Sequence, residues 1–182
     1  SEVQWTQPEH KDFESFARRL DKEFERLDYC GVNACRNFYE VNQAGAWNKS
    51  QQTYEVTLNT FCPDADIYYA VNDSTVNTSS SLYKTPIPLD EDATVYSAVY
   101  RDGKPLGKVT RKSFAVNKAT GCDYTCNPAA GWEHLNEGFG LTDGRRGYAR
   151  DMRRWISFYQ DTVQIVVELK KPQKVKEVAF SS

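Results

Sequence analysis

Long apolar runs are missing from this sequence, and their absence removes one class of readings at once. No stretch approaches the roughly 20 consecutive apolar residues that a bilayer-crossing helix requires. An excess of charge of either sign is missing too. The formal net charge is −2 and no basic stripe gathers, so little here would hold a nucleic-acid backbone. Histidine is nearly absent. His10 and His134 are the two, and no Cys-x-x-Cys occurs, so a zinc site is not expected. Nothing ties either histidine to a Ser or Cys nucleophile. No charged-then-apolar leader is expected, since Ser1 opens on polar and acidic residues. No initiating Met is present, so the chain is expected to be processed or cut from something longer. Cysteine is scarce and odd in number, with five. Cys122 with Cys126, or Cys30 with Cys35, could close a short loop and leave Cys62 over. The weightier alternative is that most stay reduced and partly buried.

What is present is a strand pattern. Tyr54 to Val116 reads as a small all-β sandwich. Tyr54-Glu55-Val56-Thr57-Leu58 alternates apolar and polar residues, the period of a half-buried strand. Asp66 to Val71 is a second strand, rich in aromatic and β-branched residues. Ala93 to Tyr100 is a third, with Val95, Ser97 and Val99 on one face and Thr94, Tyr96, Ala98 and Tyr100 on the other. Asn72-Asp73-Ser74, the Thr78 to Ser81 tract and Asp102-Gly103 supply the turns.

An amphipathic helix is expected over residues 6–29. Thr6 and Glu9 have capping-box spacing, Pro8 suits a first turn, and Gly31 suits the C-cap. Phe13, Phe16, Leu20, Phe24 and Leu27 form one apolar stripe. So aromatic a stripe must pack on something large: the small sandwich could supply that surface, and so could a missing domain, which is the favoured cover. Residues 32–50 read as a linker, with Gln43 to Gln52 a polar loop holding Gly45 and a stranded Trp47. Asn117 to Gly121 is a second short linker. Beyond Cys122 the chain turns glycine-rich, then offers strands at Thr162 to Leu169 and Val175 to Phe180. Two or three strands cannot bury a core alone.

Several motifs resemble one family. Glu2-Val3-Gln4-Trp5, the Phe/Leu helix and Arg26-Leu27-Asp28-Tyr29-Cys30-Gly31-Val32-Asn33 look like the end of a family 20 glycoside hydrolase barrel. Those enzymes are β-N-acetylhexosaminidases. Ile67-Tyr68-Tyr69-Ala70, Ser81-Leu82-Tyr83, Pro86-Ile87-Pro88-Leu89 and Val95-Tyr96-Ser97-Ala98 are similar to the fibronectin type III-like (chitobiase C-terminal) sandwich that follows the barrel. Asn72-Asp73-Ser74 departs from it by lacking the glycine of that turn. Gly103 to Lys108, then Ser113-Phe114, resemble its last strands. Leu141-Thr142-Asp143-Gly144, Arg154-Trp155 and the Val163 to Leu169 strand look like the opening of a discoidin-like (galactose-binding-like) domain.

The resemblance implies a mainly β fold class in three parts. Residues 1–43 would be the last helix of a catalytic (β/α)8 barrel plus linker, 44–120 an immunoglobulin/fibronectin III-like sandwich, and 121–182 an incomplete discoidin-like β segment. The family removes terminal N-acetylhexosamine by a substrate-assisted route, outside the usual two-carboxylate scheme. Its adjacent Asp-Glu pair belongs in the barrel. Asp90-Glu91-Asp92 imitates the pair, but it falls in a turn between sandwich strands and reads as solvated. No catalytic residue is therefore expected, and the fragment alone should be inactive. Trp132 and Trp155 are the candidates for stacking on sugars, with Arg154 or Arg153 donating to hydroxyls. The heavier competing reading makes Trp155 a core residue. Asp143 resembles a calcium-proximal Asp of some discoidin-like modules, though one carboxylate is thin for an ion that takes six to eight oxygens. No cofactor is implied.

The expected partner is the rest of the parent enzyme, with glycans as a further ligand. The helix stripe would fold onto the sandwich or bury itself against a second copy. The family points to a bacterial protein exported to the periplasm or cell surface. On that ground the sequons at Asn48, Asn72 and Asn77 read as polar loops. The alternative function is a free-standing carbohydrate-binding or adhesion module.

Overall fold

Helix α1 runs over Phe13–Tyr29, seven residues later than the capping-box spacing predicts. Pro8–His10 form a separate 3-10 turn, and Lys11 is extended, so the two cannot join. The cap is Asp12, whose Oδ1 accepts the Ser15 N–H at 3.0 Å. The other end follows expectation. Gly31 takes a φ of +68°, its N–H reaches the Asp28 carbonyl at 3.0 Å, and the Val32 N–H reaches Leu27 at 2.8 Å. Those paired bonds are a Schellman stop, which favours glycine at that position.

The computed structural model describes residues 6–128, 140–144, 156, 158 and 162–178. Within them the chain is mainly β, as the strand pattern predicts, and consistent with a β-sandwich. Ten strands and one α-helix are formed among the described residues. The chain divides into two compact units. One takes the described residues of Ser1–Asn42 with Leu58–Lys84 and Val95–Arg111; the other takes Gln43–Thr57, Thr85–Thr94 and those described in Lys112–Ser182.

In the first unit, β3 (Asp66–Val71) pairs antiparallel with β6 (Ala93–Arg101), Ile67 opposite Val99 and Tyr69 opposite Ser97. Val95, Ser97 and Val99 are fully buried on one face. The second face also has a core. Val76, from the loop after β3, covers Ala98 and Tyr100, with Tyr68, Ala70 and Tyr96 packed around them. The Tyr100 hydroxyl donates to the Val76 carbonyl at 3.0 Å. The short strands β4 (Ser81–Leu82) and β7 (Lys104–Pro105) form the edges, giving the order β4-β3-β6-β7. Asp102 and Gly103 join β6 to β7, both at positive φ (50° and 74°). That is the requirement of a two-residue type I′ hairpin, and Asp-Gly meets it. Asn72 takes φ +57° itself, so the turn after β3 forms without the family's glycine. Asp73 Oδ1 closes it on the Thr75 N–H at 2.8 Å.

In the second unit the expected polar loop is instead a strand, β1 (Asn42–Asn48). It pairs with β2 (Thr53–Asn59), and β2 pairs with β5 (Ile87–Leu89), Tyr54 opposite Leu89 and Val56 opposite Ile87. Gly45 explains the strand. A Cβ there would strike the Tyr54 hydroxyl and come within 2.8 Å of Phe114 Cδ1, so only glycine lets β1 lie that close. Asn48 Oδ1 closes the β1–β2 turn by accepting the N–H groups of Ser50 and Gln51 at 3.0 and 3.1 Å. Trp47 is not stranded either. Gly121 packs against its ring, and Lys170 Nζ stands 4.5 Å from the ring centroid.

The strand β8 (Thr110–Phe114) pairs with β6, Thr94 Oγ1 lying 2.9 Å from Ser113 Oγ. Further on, β9 (Asp123–Asn127) pairs with β10 (Gln164–Glu168), Cys126 opposite Ile165. The strand expected over 175–180 is not formed across 175–178, where Val175 and Val178 are exposed and no strand among the described residues pairs with them. Residues 179 and 180 lie outside the described residues. No cysteine forms a disulfide among the described residues: Cys62 and Cys122 are buried, Cys126 is half-buried, and Cys30 and Cys35 are exposed.

Candidate functional site

The carboxylates that imitate a catalytic pair are spent or solvated. Asp90 and Glu91 are exposed in the turn between β5 and β6, and Asp92 Oδ1 accepts the Val116 N–H at 2.8 Å. His10 is exposed in the 3-10 turn. Trp132, Arg153, Arg154, Trp155 and His134 lie outside the described residues. Asp143 is described and buried, at 8% exposure. Its segment is pinned: the Gly121 N–H donates to the Thr142 carbonyl at 2.7 Å, and Thr142 Oγ1 donates to the Cys122 carbonyl at 2.8 Å. Among the described residues no three His, Cys, Asp or Glu side chains converge as a metal site.

The polar cluster that does assemble lies in the first unit, between α1 and the end of β6. Asp21 stands four residues after Ala17 and three before Phe24, both buried, so its carboxylate lies on the apolar face. Arg101 Nη1 meets Asp21 Oδ2 at 2.8 Å. The other oxygen, Oδ1, accepts the Tyr39 hydroxyl at 2.8 Å. Arg101 Nη2 donates to the Pro63 carbonyl at 2.8 Å and to Cys62 Sγ at 3.1 Å. Arg101 Nε is buried without a hydrogen-bond partner among the described residues. The guanidinium therefore ties one helix residue, one strand end and the 62–63 segment together.

Electrostatics make this a clamp rather than a reactive centre. Burial pushes the Cys62 thiol up to about 11, against the pull of Arg101, so the nucleophilic thiolate is scarce near neutrality. Burial, then the hydrogen bond to Asp21, raises the Tyr39 hydroxyl well above its ordinary range. Burial alone would lower Arg101, but Asp21, Cys62 and Tyr39 together hold it protonated. A second, exposed link runs from Arg18 to Asp64, with Glu14 bonded to the same guanidinium at 2.9 Å. The Arg18 hydrogen bond holds the Asp64 carboxyl below its ordinary range. An exposed pair of this kind adds little stability.

Aromatic packing completes the attachment. Phe24 is buried against Phe38 and Tyr39, with ring centroids 5.8 and 5.3 Å away, and the Arg36 guanidinium lies 4.8 Å from its ring centroid. Phe13 meets Phe61 edge-on at 5.3 Å, yet remains 57% exposed. The stripe is thus covered in large part by its own chain. Sequence reasoning missed the clamp, although a carboxylate on the buried side of an amphipathic helix was its visible signal.

No helix among the described residues is long and apolar enough to cross a membrane. The chain has no match among curated proteins. One family comparison finds a match. Residues 42–111, from the first residue of β1 into β8, match the profile of the chitobiase/beta-hexosaminidase C-terminal domain, an immunoglobulin/fibronectin III-like fold, which supports the C-terminal region of a hexosaminidase-type protein.

Proposed function

We propose that this chain is a non-catalytic accessory region of a β-N-acetylhexosaminidase, an enzyme that removes terminal N-acetylhexosamine from glycans. The observation that carries it is the family match over residues 42–111, which coincides with the strands β1 to β8. On this reading α1 is the closing helix of a preceding catalytic barrel. The clamp from Asp21 to Arg101 then fixes the β domain to that helix, so the two move together. The region after Cys122 opens a discoidin-like domain, and the parent enzyme works in the periplasm or at the cell surface. The partner is the catalytic barrel.

The test is hydrolysis of a chromogenic N-acetyl-β-glucosaminide by the purified 182-residue chain. The expected result is no release of chromophore above the protein-free blank. Turnover that persists through repurification, and is lost when Asp90 and Glu91 are replaced by Asn and Gln, would place chemistry in this chain and overturn the proposal.

A further inference from the structure

Two sets of asparagines stand apart among the described residues. Asn48, Asn77 and Asn117 are consumed locally: each Oδ1 accepts a backbone N–H two residues on and closes its own turn. Asn37, Asn42 and Asn59 are not. Their side chains are exposed, and none makes a hydrogen bond among the described residues. All three line one groove of the first unit, together with Glu40, Thr60 and Phe61. The groove holds about 260 Å³. Ligand pockets commonly run from about 300 to 1,000 Å³, so this one has room for a single small ring.

We infer that this groove binds a neutral saccharide ring. Each amide offers two donors and an acceptor, and Glu40 offers acceptors only. Sugar hydroxyls both donate and accept, so adjacent hydroxyls match adjacent amides and a carboxylate. Phe61 supplies the second requirement. It is 55% exposed, and a flat ring presents its face to the C–H side of a sugar. Its ring is steadied from one side by Phe13, in edge contact at 5.3 Å. Glu40 sets the class, because its charge repels uronates, sulfates and phosphates while accepting from neutral hydroxyls. The described lining, which falls within 37–42 and 59–61, belongs to the first unit and includes neither Trp132 nor Trp155. Binding by one open groove should be weak, in the millimolar range.

The test is an NMR titration of the isotope-labelled 182-residue chain with three probes. These are a trimer of N-acetylglucosamine, an uncharged glucose trimer and a glucuronate-containing tetrasaccharide. The expected result is that a neutral probe shifts the side-chain amide signals of Asn37, Asn42 and Asn59, while the acidic probe does not. Phe61→Ala should weaken binding at least tenfold. Asn59→Ala, at an exposed position that leaves the Phe13 contact intact, should weaken it at least threefold. Absence of any saccharide-induced shift in these amides, or binding unchanged in both variants, would overturn the inference. So would binding that survives Phe61→Ala and falls in Trp155→Ala. None of these outcomes bears on whether the chain belongs to a hexosaminidase, which the hydrolysis test addresses separately.

Discussion

At the residue scale, the clamp is the feature with the largest energetic consequence. Asp21 and Arg101 retain 13% and 25% side-chain exposure, so the pair lies between a solvated surface bridge and a fully buried one. Asp21→Ala would take the acceptor from Arg101 Nη1 and from the Tyr39 hydroxyl. We expect a loss of about 2 kcal/mol, read as a lower urea midpoint with an unchanged slope. Double replacement of Asp21 and Arg101 by apolar residues should cost less than the single change, because no charge is stranded. The cluster also fixes a pH dependence. Cys62 titrates near 11 in the folded chain against an ordinary value of 9, so between these pH values the native state binds the extra proton. Stability is therefore fully present below about pH 9 and declines as pH rises through about 11, by on the order of 2 kcal/mol. The raised Tyr39 hydroxyl acts in the same direction above its ordinary 10. Chemical denaturation from pH 8 to 11 checks this: Cys62→Ala should flatten the decline, and an equally steep decline in that variant would refute it. None of this partnership could be found by motif, because the contacting residues are 18 to 80 positions apart in sequence. The place of Asp21 on the apolar face was a signal that sequence reasoning passed over; its partner left no signal.

At the element scale, legibility followed periodicity and capping chemistry. β2, β3 and β6 were readable because alternation and β-branched or aromatic content agreed. The Schellman stop at Gly31 was readable because glycine has a specific conformational use there. The helix start was misjudged because two caps compete within seven residues, and the extended Lys11 decides for Asp12. β1 was unreadable for a different reason. Gln-Ala-Gly-Ala-Trp has low strand propensity, and what holds it is the close approach of Gly45 to Tyr54 and Phe114. Thr57 Oγ1 donates to the Ala44 carbonyl at 3.2 Å, a further tie across the same pair. Gly45→Ala should therefore cost about 1–3 kcal/mol, far more than an ordinary surface change. Pairing it with Tyr54→Leu, which removes the ring that a Cβ would strike, should recover part of the loss in the double-mutant cycle. Additive losses in that cycle would show that the ring is not what excludes a side chain at residue 45.

At the scale of the whole molecule, the mainly β character and the likeness of residues 42–111 to a hexosaminidase C-terminal domain were both legible, because turn residues and strand patterns recur together across that stretch. The groove around Phe61 was not, since Asn37, Asn42 and Asn59 come from a 3-10 turn and the ends of two strands. The sugar-stacking expectation at Trp132, Trp155 and Arg154 falls outside the described residues, as do the first residues of the barrel-like motif. Ion pairs at Asp21 and Arg18 and tilted ring contacts at Phe24 bind the helix within the first unit. An accessory region that must keep step with a catalytic body needs such a joint. The most direct measurement is to read the gene immediately upstream of the codon for Ser1. The account predicts an open frame continuing into a (β/α)8 barrel that carries an adjacent Asp-Glu pair. An in-frame stop followed by a start codon at this boundary would contradict it.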